Sequence, residues 1–180
     1  AALSVAVVAA AAAVTLSDSA TVATVSAAPV GSGVRYVALG DSRAAGPSLD
    51  QAASGNGCKR SDLGYPVHVA QGVGATSFLN LSCTGARTEH VTTTPQQTST
   101  GPVPPQIQQM PSDTTLVTLS IGGNDIDWHA LVSPCYAKVE GGDAGCRNNP
   151  VVTGRMTAEL AGLGQKVWAT IGAIRLKAPA

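Results

Sequence analysis

Apolar residues in this chain come in short continuous runs that stop at glycine, and in one long run spaced by threes and fours. Tyr36-Val37-Ala38-Leu39 stops at Gly40-Asp41-Ser42, Phe78-Leu79-Asn80-Leu81-Ser82 stops at Cys83-Thr84-Gly85-Ala86, and Thr115-Leu116-Val117-Thr118-Leu119-Ser120-Ile121 stops at Gly122-Gly123-Asn124-Asp125. A short apolar run closed by a turn residue reads as a buried strand. Strands are therefore predicted over Arg35–Leu39, Phe78–Ser82 and Thr115–Ile121, each ending in a glycine-containing turn. Tyr65 to Val73 reads as a helix, with Val69 and Val73 on one face with Tyr65 or Pro66 and a breaker at Gly72-Val73-Gly74. Thr92 to Pro105 holds too many prolines for regular structure and reads as a surface loop, with a helical turn at Ile107–Met110 after it. From Val151 to Lys177 the apolar residues Met156, Leu160, Leu163, Val167, Ile171 and Ile174 define one helix face, and Pro179 ends it.

Strands alternating with helices imply an α/β fold: a parallel sheet with helices on both faces. A strand is expected after Pro179, so the sheet reads as cut short, with the third strand left as an apolar edge and the isolated chain only marginally folded. The domain proper spans residues 35–180, preceded by a Pro/Gly/Ser linker over 29–34.

Residues 1–28 have a different composition. The first 16 residues contain only Ala, Leu, Val, Ser and Thr, no charge occurs before Asp18, and Val25-Ser26-Ala27-Ala28 before Pro29 resembles a cleavage region. This suits the apolar core of a secretory signal, incomplete because no Met or basic stretch precedes it; the run is short for a membrane span of about 20 residues. The expected location is outside the cell. The 4 cysteines agree: Cys58 and Cys83 flank the first helical segment, Cys135 and Cys146 bracket a Gly-rich loop, and of the possible pairings the sequential one closes local loops. No CxxC spacing or histidine cluster favours zinc, and no metal or organic cofactor is expected. With 11 basic and 11 acidic residues and no dense basic run, nucleic-acid binding has no electrostatic support. A monomer is expected.

Taken alone, Gly-Asp-Ser is a turn or helix cap as readily as a nucleophile. The ordered set is more specific. Gly40-Asp41-Ser42, then Ser82-Cys83-Thr84-Gly85-Ala86, then Gly122-Gly123-Asn124-Asp125 resembles the first three sequence blocks of the SGNH (GDSL-type) hydrolases, in their secreted actinobacterial esterase and lipase branch, from Tyr36 to the chain end. The resemblance implies a three-layer, flavodoxin-like parallel sheet and a serine hydrolase acting on carboxylic esters, small or lipid. It makes Ser42 the nucleophile and assigns the oxyanion hole to the N–H groups of Ser42 and Gly85 and the side-chain amide of Asn124. These residue types suit those roles, because neutral, preorganised donors stabilise a tetrahedral oxyanion and glycine lets backbone approach closely.

Asp41 and Asp125 are expected to cap turns and hold loops, not to act as the triad acid. The family's Asp-x-x-His motif is absent; the 3 histidines are His68, His90 and His129. The catalytic histidine is expected beyond residue 180, and the 180-residue chain alone is expected to turn over little ester. Arg43 occupies a position often uncharged in similar proteins and bears on substrate range or points to solvent. Specificity is expected in the loops Asp50–Ser61 and Thr92–Pro105. The competing expectation is a non-catalytic envelope or binding protein that keeps the scaffold without its base.

Overall fold

The computed structural model describes residues 4–7, 33–49, 57–136, 139–140, 142 and 145–179. Its elements in chain order are β1 (Ser4–Val7), β2 (Arg35–Gly40), α1 (Ser42–Ala45), α2 (Tyr65–Gly72), β3 (Ser77–Asn80), α3 (Thr88–Thr92), β4 (Gln96–Thr98), β5 (Gly101–Val103), α4 (Gln106–Gln109), β6 (Leu116–Ser120), α5 (Trp128–Val132) and α6 (Pro150–Lys177). The main sheet is parallel, in the order β1-β6-β2-β3.

Strand β2 is central and covered on both sides, which is why its sequence is continuously apolar instead of alternating. Val37 and Leu39 point into a core with Val117 and Leu119 of β6, Val91 of α3, Met110, and Ile171 and Ile174 of α6. On the opposite face the Tyr36 hydroxyl meets the Thr118 hydroxyl at 2.7 Å, its ring stacks on Phe78 at 5.1 Å, and Tyr65 at the start of α2 reaches Thr118. Register pairs Leu39 with Leu119 and Gly40 with Ser120, so β2 and β6 end level with each other.

Three expectations are corrected. First, β6 is not an edge: Ser4–Val7 pairs with Leu116–Leu119 along its outer side. An open strand edge is a row of unpaired N–H and C=O groups, and a segment of small apolar residues satisfies it. The cleavage region Val25–Ala28 lies outside the described residues. Second, Thr92–Pro105 is not irregular. It finishes α3 and then forms the antiparallel ribbon β4–β5, in which Pro102 stands opposite Gln97. A two-stranded ribbon tolerates that proline because its outer edge needs no donor. Third, only part of the apolar face of α6 is buried. Ile171 and Ile174 are inside, whereas Met156 and Leu160 are 37% and 49% exposed. A helix of 28 residues runs about 42 Å, far longer than the strands, so its first half extends past the sheet. Asn149 caps that end, accepting from Val151 N–H at 3.0 Å, while Arg175 and Lys177 sit in the last turn, where cations suit the dipole.

The cysteines pair sequentially, Cys58 with Cys83 and Cys135 with Cys146. Cys58 and Cys83 are fully buried with Ala86, against Val103 and Ile121. Closing a loop of 25 residues restricts the unfolded chain by roughly 3.5 kcal/mol on the loop-entropy relation. The double variant Cys58→Ala/Cys83→Ala is expected to lose about that much in a denaturant titration, and Cys135→Ala/Cys146→Ala somewhat less.

Candidate active site

The site is built where β2, β3 and β6 end. Gly40 closes β2 at φ 140°, and a Cβ there would lie 2.2 Å from the Ser120 carbonyl oxygen; only glycine lets the two central strands stay this close. The Asp41 N–H then donates to that oxygen at 2.9 Å. The buried side chain of Gln106 grips the same residue from the other side: its Oε1 accepts from Gly40 N–H at 2.8 Å and its Nε2 donates to Gly40 C=O at 2.9 Å. A side-chain amide thus supplies the acceptor for Gly40 N–H and shares the Gly40 carbonyl with Cys83 N–H at the end of the β2–β3 pairing.

Immediately afterwards the chain turns into α1. Asp41 caps it, its Oδ1 accepting from Arg43 N–H at 3.0 Å, and Ser42 is the first helical residue, half-buried at the mouth of the turn. Ala44 and Ala45 are fully buried behind it, and Gly46 ends the helix in the left-handed region. Arg43 is exposed. Burial pushes the Asp41 carboxyl above its ordinary range, against the lowering effects of the Arg43 N–H and guanidinium and with a smaller upward push from Asp125. An acid whose folded pKa is raised costs stability as pH climbs from the unfolded pKa through the folded one, and costs nothing where both states are protonated. Asp41→Asn keeps a good cap without the charge. It is expected to raise the thermal midpoint at neutral pH, with the difference vanishing below the ordinary carboxylate range.

Beside this turn, Cys83 N–H donates to Gly40 C=O at 2.9 Å and ties the second loop to the first, while the disulfide and a hydrogen bond from Thr84 N–H to Cys58 C=O at 3.1 Å hold the second loop to the segment around Cys58. Gly85 follows at φ 83° and is exposed, and Gln96 Nε2 donates to the Thr84 carbonyl at 2.7 Å. The third loop begins at Gly122, φ 116°, against which Leu163 of α6 packs. Asn124 donates one amide hydrogen to Ala86 C=O at 2.9 Å, leaving its second N–H available. The Asp125 carboxylate accepts from Thr88 N–H at 3.0 Å and from the Thr88 hydroxyl, capping α3 from outside the helix. The three loops carrying Ser42, Gly85 and Asn124 are thereby tied into one unit, and both aspartates act as caps.

The histidines stand elsewhere. His68 is exposed on α2, and His129 is exposed beside Trp128, edge to face at 5.9 Å. His90 Nδ1 accepts from Arg87 N–H at 3.0 Å. Nor is a tyrosine poised to take a proton: burial pushes the Tyr36 phenol up to about 12 despite the Thr118 hydrogen bond, and Tyr65 is also raised by burial. An open cavity of about 510 Å³ lies between α3 and α6, lined by Arg87, Thr88, Glu89, Asp125, Lys166 and Thr170. It touches the site at Asp125 but reaches none of Ser42, Gly85 or Asn124, so the strand-end loops and not the cavity locate the chemistry. Among the described residues, no group of three or more potential metal ligands occurs, and no helix is long and apolar enough to cross a membrane. Residues 50–56 of the loop expected to set specificity lie outside the described residues.

Nothing in the sequence marks Gln96 and Gln106, polar residues in a Pro/Thr/Gln-rich stretch. Their partners are 12 and 66 residues away, and no periodicity marks such contacts.

Residues 38–177 match the GDSL-like lipase/acylhydrolase family. The chain is 35% identical over 106 residues to a lipase of Streptomyces rimosus, covering 58% of this chain and 35% of that one. It is 34% identical over 119 residues to Lipase 1 of Streptomyces coelicolor, covering 66% and 40%. Among solved structures, phospholipase A1 from Streptomyces albidoflavus NA297 aligns with a TM-score of 0.59 and 27% identity over 82% of this chain and 56% of that one. The extracellular lipase from Streptomyces rimosus aligns with a TM-score of 0.57 and 30% identity, over 82% and 57%. The chain spans well under half the length of these curated relatives.

Proposed function

The chain belongs to the GDSL-like lipase/acylhydrolase family, and from that premise we propose that it forms part of a secreted serine hydrolase that cleaves carboxylic esters through an acyl-enzyme. One observation carries the reading: the turns holding Ser42, Gly85 and Asn124 close three adjacent parallel strands and are hydrogen-bonded to one another. Ser42 Oγ attacks the ester carbonyl, its proton passing to a general base as the Oγ–C bond forms. The carbonyl oxygen becomes an oxyanion that accepts from the N–H groups of Ser42 and Gly85 and from the spare N–H of Asn124. Collapse expels the alcohol, which takes the proton back from the base, and water then repeats the sequence on the acyl-enzyme.

The base is assigned to a histidine in sequence following residue 180, since His90 is engaged with Arg87 and His68 and His129 are exposed on other elements. Disulfides and an extracellular relative support export; the pairing of Ser4–Val7 with β6 speaks against removal of that segment as a signal. The substrate is a small or lipid ester taken by a monomer that needs no cofactor, and a scan of acyl-chain length separates esterase from lipase.

The test is covalent trapping. A fluorophosphonate probe, applied to the protein expressed with the sequence that follows residue 180 in its gene, is expected to label the peptide containing Ser42 and to abolish hydrolysis of a p-nitrophenyl ester. A well-folded protein inert to the probe would overturn the reading and favour a binding role on the same scaffold. A reading frame that ends at residue 180 would overturn the placement of the base.

A further inference from the structure

We infer that Gln96, at the start of β4, is a positioning residue that fixes the direction of the Gly85 N–H. The inference rests on the reading that this N–H is an oxyanion donor. The Thr84 carbonyl and the Gly85 N–H belong to one planar trans peptide unit and point in opposite directions, so whatever holds the carbonyl aims the N–H. Among the described residues, Gln96 Nε2 is the hydrogen-bond partner of that carbonyl, at 2.7 Å. The orientation of the amide is not ambiguous. A carbonyl only accepts, so the side-chain atom facing it must be the NH₂.

A clamp is needed here because the neighbouring peptides are pinned and this one is not. Thr84 N–H is fixed on Cys58 C=O at 3.1 Å and Ala86 N–H on Cys83 C=O at 3.0 Å. Between them, Gly85 sits at φ 83° with no Cβ to oppose rotation of the Thr84–Gly85 unit. Turned over, that unit would present a carbonyl oxygen to the developing oxyanion, repulsion in place of attraction. Gln96 is only 8% exposed and its Nε2 lies 3.5 Å from where a Gly85 Cβ would stand, so it closes the turn from beneath. Its own Oε1 has no protein partner among the described residues. The amide therefore makes one bond and leaves one acceptor unsatisfied, which gains little if stability is its only role. The β4–β5 ribbon thereby acquires a purpose, since Gln96 paired to Val103 is held at a set depth under the loop.

The experiment combines ¹H–¹⁵N spectra with steady-state kinetics, both on the hydrolytically active protein, using Gln96→Met. Methionine fills a similar volume and removes both the donor and the unsatisfied acceptor, so the thermal midpoint should fall only by the loss of the one hydrogen bond to the Thr84 carbonyl. The Gly85 amide resonance is expected to move or split, and kcat to fall by up to about 10²-fold with KM unchanged, because the hole acts on the transition state. Should Met fail to fold, Gln96→Glu keeps the shape and, ionised, cannot donate; the same changes are expected. A Gly85 resonance that stays in place in a folded variant overturns the inference whatever the rate does. A resonance that moves with kcat intact overturns the catalytic consequence. Ser42→Ala separates the two readings: it should abolish turnover and leave Gly85 as in the parent, and turnover surviving it would count against the proposed function and not against the clamp.

Discussion

Ser42→Ala is expected to lower kcat for a p-nitrophenyl ester by at least about 10⁴-fold, the scale on which loss of a serine nucleophile acts. The change should cost little in stability. Asp41 caps α1 through the Arg43 backbone N–H and not through the serine hydroxyl, and the buried Ala44 and Ala45 hold the turn from behind. Alanine is also a good helix former at the first helical position. What remains of the rate then measures the oxyanion hole and substrate binding alone, which in triad hydrolases leave a residual of about 10³-fold over water. Steady-state kinetics with a matched thermal scan checks this. A variant within tenfold of the parent would remove Ser42 from the mechanism.

The second large effect is structural. Gly40→Ala is expected to destabilise the chain by roughly 3–5 kcal/mol, at the extreme of single substitutions. The added Cβ would stand 2.2 Å from the Ser120 oxygen and 3.0 Å from its carbonyl carbon and nitrogen, all backbone atoms in the facing central strand. The φ of 140° is also one that side-chain-bearing residues rarely adopt. Relief requires β2 to part from β6 where Asp41 N–H meets Ser120 C=O, so activity should be lost with stability. Gly162→Ala in α6 is the control: a Cβ there meets nothing within 4 Å, and in a helix interior the change should stabilise by about 0.5–1 kcal/mol. Urea titrations of the two variants should therefore move in opposite directions; equal shifts would contradict the close approach at Gly40.

Local patterns in the chain were sufficient for the frame of the site. The apolar runs before Gly40, Gly85 and Gly122 mark parallel strands, and a positive φ at each glycine is recorded by residue type at one position; the expectation of burial holds for β2 but not for β3, which is the sheet edge and leaves Leu79 41% exposed. The capping work of Asp41 was legible for the same reason, since it involves a residue two positions away, and the cysteines pair in sequence order, the pairing that closes the shortest loops. The helix read over Val151–Lys177 is observed as Pro150–Lys177, one residue longer at its start.

Only the tertiary structure decided what those elements meet. Nothing near Met156 or Leu160 says that their stretch of helix lies beyond the sheet, since periodicity records a face and not what covers it. The pairing of Ser4–Val7 with β6 depends on strand register more than 100 residues away. The grip of Gln106 on Gly40 and of Gln96 on Thr84 follows from where a ribbon and a short helix return beneath the strand ends. Hydrophobic period and glycine conformation are properties of adjacent residues and are written along the chain. The satisfaction of a buried amide is a property of two distant segments together, and appears only once the sheet has brought them into contact.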